Sequence, residues 1–191
     1  MRHEKDFKRF IQNGDYEFTD GGILIHSSAM AGGKYYHTVN GQDEQVDPNL
    51  LPAAGILDIL TQYFGGTAPS TFYLSLYSGD ATPASTWTAA NYVANATENT
   101  SQTEGYTGTT RPAWTPGTAA AGKIGNLSSR ASYTIAATTT VTFYGAGLHT
   151  ATATRGATTG VLVSSTRFAA ARTLNDTDTF ELGYEVELTD S

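Results

Sequence analysis

Carboxylates are the groups in this chain that could transfer protons, and they fall into short-range combinations. Asp80 and Glu98 could act as the paired acids of a glycoside hydrolase, which stand about 5 to 10 Å apart across the scissile bond. Asp43-Glu44-x-x-Asp47 could hold calcium through loop oxygens, but the glycine placement of an EF-hand is lacking, and a solvated acidic turn is the simpler account. Ser78 stands beside Gly79-Asp80, yet no G-x-S-x-G elbow occurs and cysteine is absent, so nothing marks a nucleophile. Gly145-Ala146-Gly147 leads into Leu148-His149 rather than a lysine and a helix, which suits a bulge or strand turn better than a phosphate loop. His3, His26, His37 and His149 lack metal-ligand spacing. Trp87, Trp114 and the 11 tyrosines could stack on sugars, although their spacing suits a core or an interface. No catalytic, cofactor-binding or metal-binding residue is assigned, and neither a cofactor nor turnover is expected.

Charge is segregated along the chain. No lysine or arginine lies between Tyr35 and Thr110, and no aspartate or glutamate between Gly105 and Asn175. Opposed charges on neighbouring copies would use this pattern, and so would acid-to-base pairing between the halves of one domain. The formal net charge of -7 argues against nucleic acid or an anionic membrane as partner. No apolar run is long enough to span a bilayer, and the charged start Met1-Arg2-His3-Glu4-Lys5 is unlike a signal peptide, so a cytoplasmic origin is expected. Only 15% of residues are charged; Thr, Ala, Gly and Ser take their place and make a neutral, hydrogen-bonding surface suited to protein contacts.

The elements that would position these residues are mainly strands. Phe7, Phe10 and Ile11 suit a short amphipathic helix, and short strands follow around 16–18, 23–27 and 34–39, with a hairpin turn at Asn40-Gly41. Residues 1–48 therefore read as an arm that lies on another surface, and 49–191 as the domain. Asn49 could cap a helix over 51–64 whose apolar face, from Ile56 to Phe64, packs into the core. Strands are predicted over 71–78, 131–136, 139–145, 147–151, 160–168 and 179–188, with a second short helix over 86–98 and a possible strand at 124–127. Phe180, Leu182, Tyr184, Val186 and Leu188 alternate with polar residues as one buried face. The fold class is mainly β, a jelly-roll or immunoglobulin-like antiparallel sandwich with one or two short helices and an extended N-terminal arm.

Several stretches also carry a family resemblance. They are Asn49-Leu50-Leu51-Pro52-x-x-Gly55-Ile56-Leu57-x-Ile59-Leu60, the strand from Phe72 to Tyr77, Tyr106-x-x-x-Thr110-Arg111-Pro112-Ala113-Trp114, Thr154-Arg155-Gly156-x-x-x-Gly160-Val161-Leu162, and Phe168-Ala169-Ala170-x-Arg172. In this order they resemble small β-rich head cement or decoration proteins of tailed bacteriophages. The resemblance implies a sandwich bound to the capsid exterior at capsomer junctions, often as a homotrimer, with the major capsid protein and itself as partners. It implies assembly in the host cytoplasm and residence on the virion. On that basis Phe7, Phe10, Ile11, Ile23, Ile25, Tyr35 and Tyr36 are expected to anchor the arm. Arg111, Arg155, Arg167 and Arg172 are expected to pair with acids on a neighbour, or, for Arg111, to brace the Pro112–Trp114 loop at home. A tail or fibre component with a carbohydrate- or receptor-binding sandwich is the alternative, and a polysaccharide-degrading enzyme a third.

Overall fold

The computed structural model describes residues 16–19, 22–25, 29–65 and 70–190. Two units divide the chain, the smaller comprising residues up to Ala31 and from Leu188 onward. Within it β1 (Tyr16–Thr19) and β2 (Gly22–Ile25) pair antiparallel, Tyr16 opposite Ile25. The larger unit, Gly32–Glu187, is a sandwich of two sheets.

One sheet contains β3 (Ala29–Val39), β4 (Gln42–Pro48), β6 (Gly105–Tyr106), β9 (Ala131–Ala136) and β12 (Thr179–Asp190), in the order β4-β3-β12-β9-β6. β8 (Lys123–Gly125) pairs with β12 beyond the end of β9. The other sheet contains β5 (Phe72–Tyr77), β7 (Ala113–Trp114), β10 (Thr140–Thr150) and β11 (Leu162–Asn175), in the order β11-β10-β5-β7. β3 and β4 belong to the sandwich rather than to an arm ending at residue 48, because Tyr35 and His37 point into the core and are 0% exposed. Asn40 and Gly41 both have positive φ, 51° and 69°, as the tight turn joining them requires.

Period-two alternation builds the core. Phe180, Leu182 and Tyr184 of β12 face Leu74, Leu76, Phe143, Leu148 and Phe168 of the other sheet. Two aromatic tips are satisfied across the gap: the Tyr133 hydroxyl donates to the Leu74 carbonyl at 3.0 Å, and Tyr35 Oη meets Ser164 Oγ at 2.6 Å. The alternation of β12 ends early, since Leu188 is 59% exposed. The four-stranded sheet is covered on its outer face too. There Tyr77 and Leu162 pack against Trp87, which precedes the short helix α2 (Ala89–Tyr92), against Tyr92 of that helix, and against Ala96 of the π-helical turn Val93–Thr97.

The longer helix, α1 (Ala53–Phe64), forms where its periodicity predicts but shows the opposite face to the core. Ile56, Leu57, Ile59 and Leu60 are 47%, 65%, 40% and 48% exposed. Gly55 is buried instead, and a Cβ there would collide with the Val163 carbonyl of β11. Asp58 and Gln62 are half-buried and bonded to each other at 2.5 Å. Close backbone approach at Gly55 selects the face, and the reciprocal Leu50–Ser165 backbone bonds hold the entry to the helix on β11. Asn49 is no cap: Pro52 occupies that position, and the Asn49 amide donates to Tyr184 Oη at 2.8 Å.

Gly55→Ala tests this account. Alanine is the better helix former by roughly 1 kcal/mol, yet the collision with Val163 is expected to destabilise the fold by about 1–3 kcal/mol, read as a lower urea midpoint.

Candidate functional site

Polar chemistry concentrates in three buried clusters. The first joins Ser75 of β5, His149 of β10 and Tyr92 of α2. Ser75 Oγ lies 2.8 Å from His149 Nε2 and 2.9 Å from Tyr92 Oη, and all three residues are 0% exposed. Gly147 makes the space, because a Cβ there would stand 2.9 Å from Tyr92 Oη and 3.1 Å from His149 Nε2. The Gly145-Ala146-Gly147 run is thus the middle of β10 beside a register shift, with room for tyrosines rather than phosphate. A serine–histidine pair is the start of a nucleophilic site, but an acid must orient the imidazole and substrate must reach the hydroxyl. Here His149 Nδ1 has no hydrogen-bond partner among the described residues, and the serine is sealed. Burial, reinforced by the Arg111 charge, pushes the imidazole well below its usual range and keeps it neutral. The pair packs; it has no route to substrate.

The second cluster surrounds two guanidinium groups. Glu98 leaves the π-helical turn with its carboxylate gripping Arg111 through two bonds, Nε to Oε1 at 2.7 Å and Nη2 to Oε2 at 2.6 Å, with both side chains 0% exposed. The Gly156 amide donates to the same carboxylate at 3.1 Å. Among the described residues Arg155 has no carboxylate partner. It donates instead to the carbonyls of Asn99, Ser101, Tyr106 and Gly108 and to the Asn99 side chain, and its guanidinium stacks 3.6 Å from the Tyr106 ring centroid. Segments 98–111 and 151–160 are tied together by these bonds and by the Thr110–Thr154 bridge.

The third cluster crosses the sandwich from β3 and β4 to β11. Arg172 Nε donates to His37 Nδ1 at 3.0 Å, so the ring proton sits on Nε2, which donates to Asp47 Oδ2 at 2.8 Å. Arg172 also reaches Asp43 Oδ2 at 2.5 Å, and the Ala169 amide donates to Asp47 Oδ1 at 2.7 Å. Burial lowers the His37 pKa against the opposing pull of Asp47.

These positions account for the candidate residues. Glu98 is enclosed with Arg111, whereas Asp80 lies at the surface 2.6 Å from Arg167, so the two do not form a water-filled acid pair. Asp43, Glu44 and Asp47 each face a different partner, Arg172, Arg130 and His37, and no cluster that could hold a metal occurs among the described residues. Trp87 and Trp114 are buried, which removes them as a sugar platform. Of the arginines expected to reach a neighbour, Arg111, Arg155 and Arg172 are buried in their own domain, and Arg167 alone is exposed. Among the arm anchors, Tyr35 is a core residue. Tyr36 lies on the sheet beside Glu185 and Arg130. Phe7, Phe10 and Ile11 lie outside the described residues, as do the side chains of Ile23 and Ile25. Sequence reasoning missed the Ser75–His149–Tyr92 cluster, for which a polar residue between Leu74 and Leu76 was the available signal.

Removing one member of the Glu98–Arg111 pair strands a buried charge. Glu98→Met and Arg111→Met are each expected to cost about 3–5 kcal/mol, and the double variant Glu98→Met/Arg111→Met markedly less than their sum, measured as a cycle of urea unfolding free energies. Acid acts through the histidines. Both are held below the ordinary 6.5, so the unfolded chain binds protons that the folded one refuses. The stability they contribute is present above pH 6.5 and drains as pH falls toward the lowered folded values, by up to about 1.4 kcal/mol per pH unit for each. His37→Gln/His149→Gln is expected to flatten the slope of unfolding free energy against pH between about 7.5 and 5. No protein-family model matches this chain, and no curated protein matches it in sequence.

Proposed function

We propose that this chain is a structural protein of a tailed-phage virion, a cement or decoration protein that binds the outer head surface across capsomer junctions. One observation carries this reading: the buried charged side chains of the sandwich are bonded internally, joining sheet to sheet or loop to loop, rather than lining a cleft open to substrate. A molecule tied in this way is suited to resisting deformation. The resemblance points the same way, because its motif residues Arg111, Arg155, Gly156 and Arg172 take part in these ties.

The mechanism needs no turnover. Each subunit covering about 800 Å² of shell gains modest net binding energy after ordering costs, and hundreds acting in parallel hold neighbouring capsomers against outward pressure. Arg167, exposed and held among the described residues by a surface pair with Asp80, is the one of the four candidate arginines available to exchange partners with a capsid acid.

The test is copy number and particle stability. Gel densitometry of purified particles is expected to find hundreds of copies each, and heads lacking the protein to release DNA at a lower temperature. A few tens of copies with unchanged heads would move the protein to the tail or a fibre, and its absence from particles would overturn the proposal.

A further inference from the structure

β4 and β11 are edge strands of the two sheets, and they meet along a seam held by two kinds of contact. At its Pro48 end the contacts are neutral. Leu50 and Ser165 exchange backbone bonds of 2.8 and 3.0 Å, and Thr166 Oγ1 donates to the Pro48 carbonyl at 2.7 Å. At its Asp43 end they are ionic and pass through His37 of β3. Arg172 Nε donates to His37 Nδ1 at 3.0 Å, and Arg172 also donates to the Asp43 carboxylate and carbonyl at 2.5 and 2.6 Å.

The His37 ring is 0% exposed and lies against the rings of Phe168 and Phe180, with centroids 4.0 and 5.6 Å away. Its nitrogens answer to Arg172 and Asp47, and Nε2 carries the hydrogen donated to Asp47 Oδ2. A second proton has only Nδ1 to occupy. It would turn the acceptor into a donor facing the Arg172 Nε–H across 3.0 Å, and set one cation beside another.

We propose that His37 is a proton-operated latch on this seam: a proton on Nδ1 expels Arg172 and frees the Asp43 end, while the Pro48 end stays closed. Exit is open to Arg172 because its carboxylate partner, Asp43, is 71% exposed, so the two can move into water together. Asp47 keeps both the imidazolium and the Ala169 amide. One edge of each sheet thereby becomes accessible in acid without unfolding the rest.

The charged groups facing the ring are Asp43 and Asp47 from β4 and Arg172 from β11. β12 offers the Phe180 ring, and its Glu181 is bonded to Thr38 on the opposite face of β3. The two acids draw a proton toward the ring, whereas burial and Arg172 refuse it. Burial prevails in the closed form and holds the ring below the ordinary 6.5. Opening relieves both burial and Arg172, so the open form binds the proton more tightly. The closed seam is fully favoured above pH 6.5 and weakens as pH falls through the lowered value.

NMR on the full chain between about pH 7 and pH 5 tests the latch. Imidazole nitrogen shifts are expected to show His37 with its hydrogen on Nε2 at neutral pH and as imidazolium in acid. In step with that change, protection of the Arg172 Nε–H from solvent exchange is expected to fall at least about threefold. The Leu50 and Ser165 amides are expected to keep theirs. His37→Gln cannot take the proton and is expected to abolish the fall, and His149→Gln to leave it intact. Circular dichroism checks that both variants fold; if His37→Gln does not, the wild-type ring and Arg172 signals decide alone. Four results would each overturn the proposal: a hydrogen on Nδ1 at pH 7, imidazolium with Arg172 protection unchanged, a fall that persists in folded His37→Gln, or a ring neutral until Leu50 and Ser165 lose protection as well.

Discussion

A guanidinium removed from water must be surrounded by oxygen atoms, and this requirement organises the end of the sandwich. Arg111 meets it in part, with one carboxylate held in a fork while its Nη1 has no hydrogen-bond partner among the described residues, and Arg155 meets it with a ring of carbonyls and an aromatic face. Both solutions demand that distant loops converge. The segment after the π-helical turn must bring Glu98 and Asn99 inward, and the segment after β10 must deliver Arg155 and the Gly156 amide to the same place. Long polar connections that would otherwise wander are thereby given a single path.

The same economy recurs between the sheets. Arg172 cannot approach β3 unless His37 is neutral and offers a lone pair on Nδ1, and His37 is oriented by Asp47, which also captures an amide of β11. Acid from the stretch 43–104 meets base from the stretch 111–172 in four pairs, Glu98 with Arg111, Asp43 with Arg172, Glu44 with Arg130 and Asp80 with Arg167, while Lys123 pairs with Glu185 and Glu187 of β12. The uneven layout of charge along the sequence is therefore explained, within the isolated chain, by pairing inside one domain.

Period-two alternation made the strands legible, and residues 131–136 form β9 at the predicted bounds. Where glycines interrupt the pattern the boundaries blurred: 139–145 and 147–151 are one strand, because Gly145 and Gly147 leave space for Tyr77 and Tyr92 without breaking the ladder. β11 runs on to Asn175 by pairing with the start of β10, and this extension beyond residue 168 was hidden because the exposed Ala169, Ala170 and Ala171 conceal the alternation that a larger residue would reveal. The orientation of α1 was not legible. An apolar stripe indicates which residues avoid water in some complex, not which contact is intramolecular, and here a glycine outweighs four aliphatic residues. The clusters escaped notice for a related reason. Ser75 and His149 are 74 residues apart, and only the β5–β10 register brings them together.

The centre of the six-stranded sheet is filled by β12, last of the strands in chain order, between β3 on one side and β9 followed by β8 on the other. β3 lies more than a hundred residues upstream, as the Thr38–Glu181 bond shows with its separation of 143. During synthesis the earlier strands must wait, with hydrophobic faces and open edges, until Phe180, Leu182 and Tyr184 leave the ribosome. So non-local a topology folds slowly and is vulnerable to misassembly at high expression, which gives chaperones a natural role in its production.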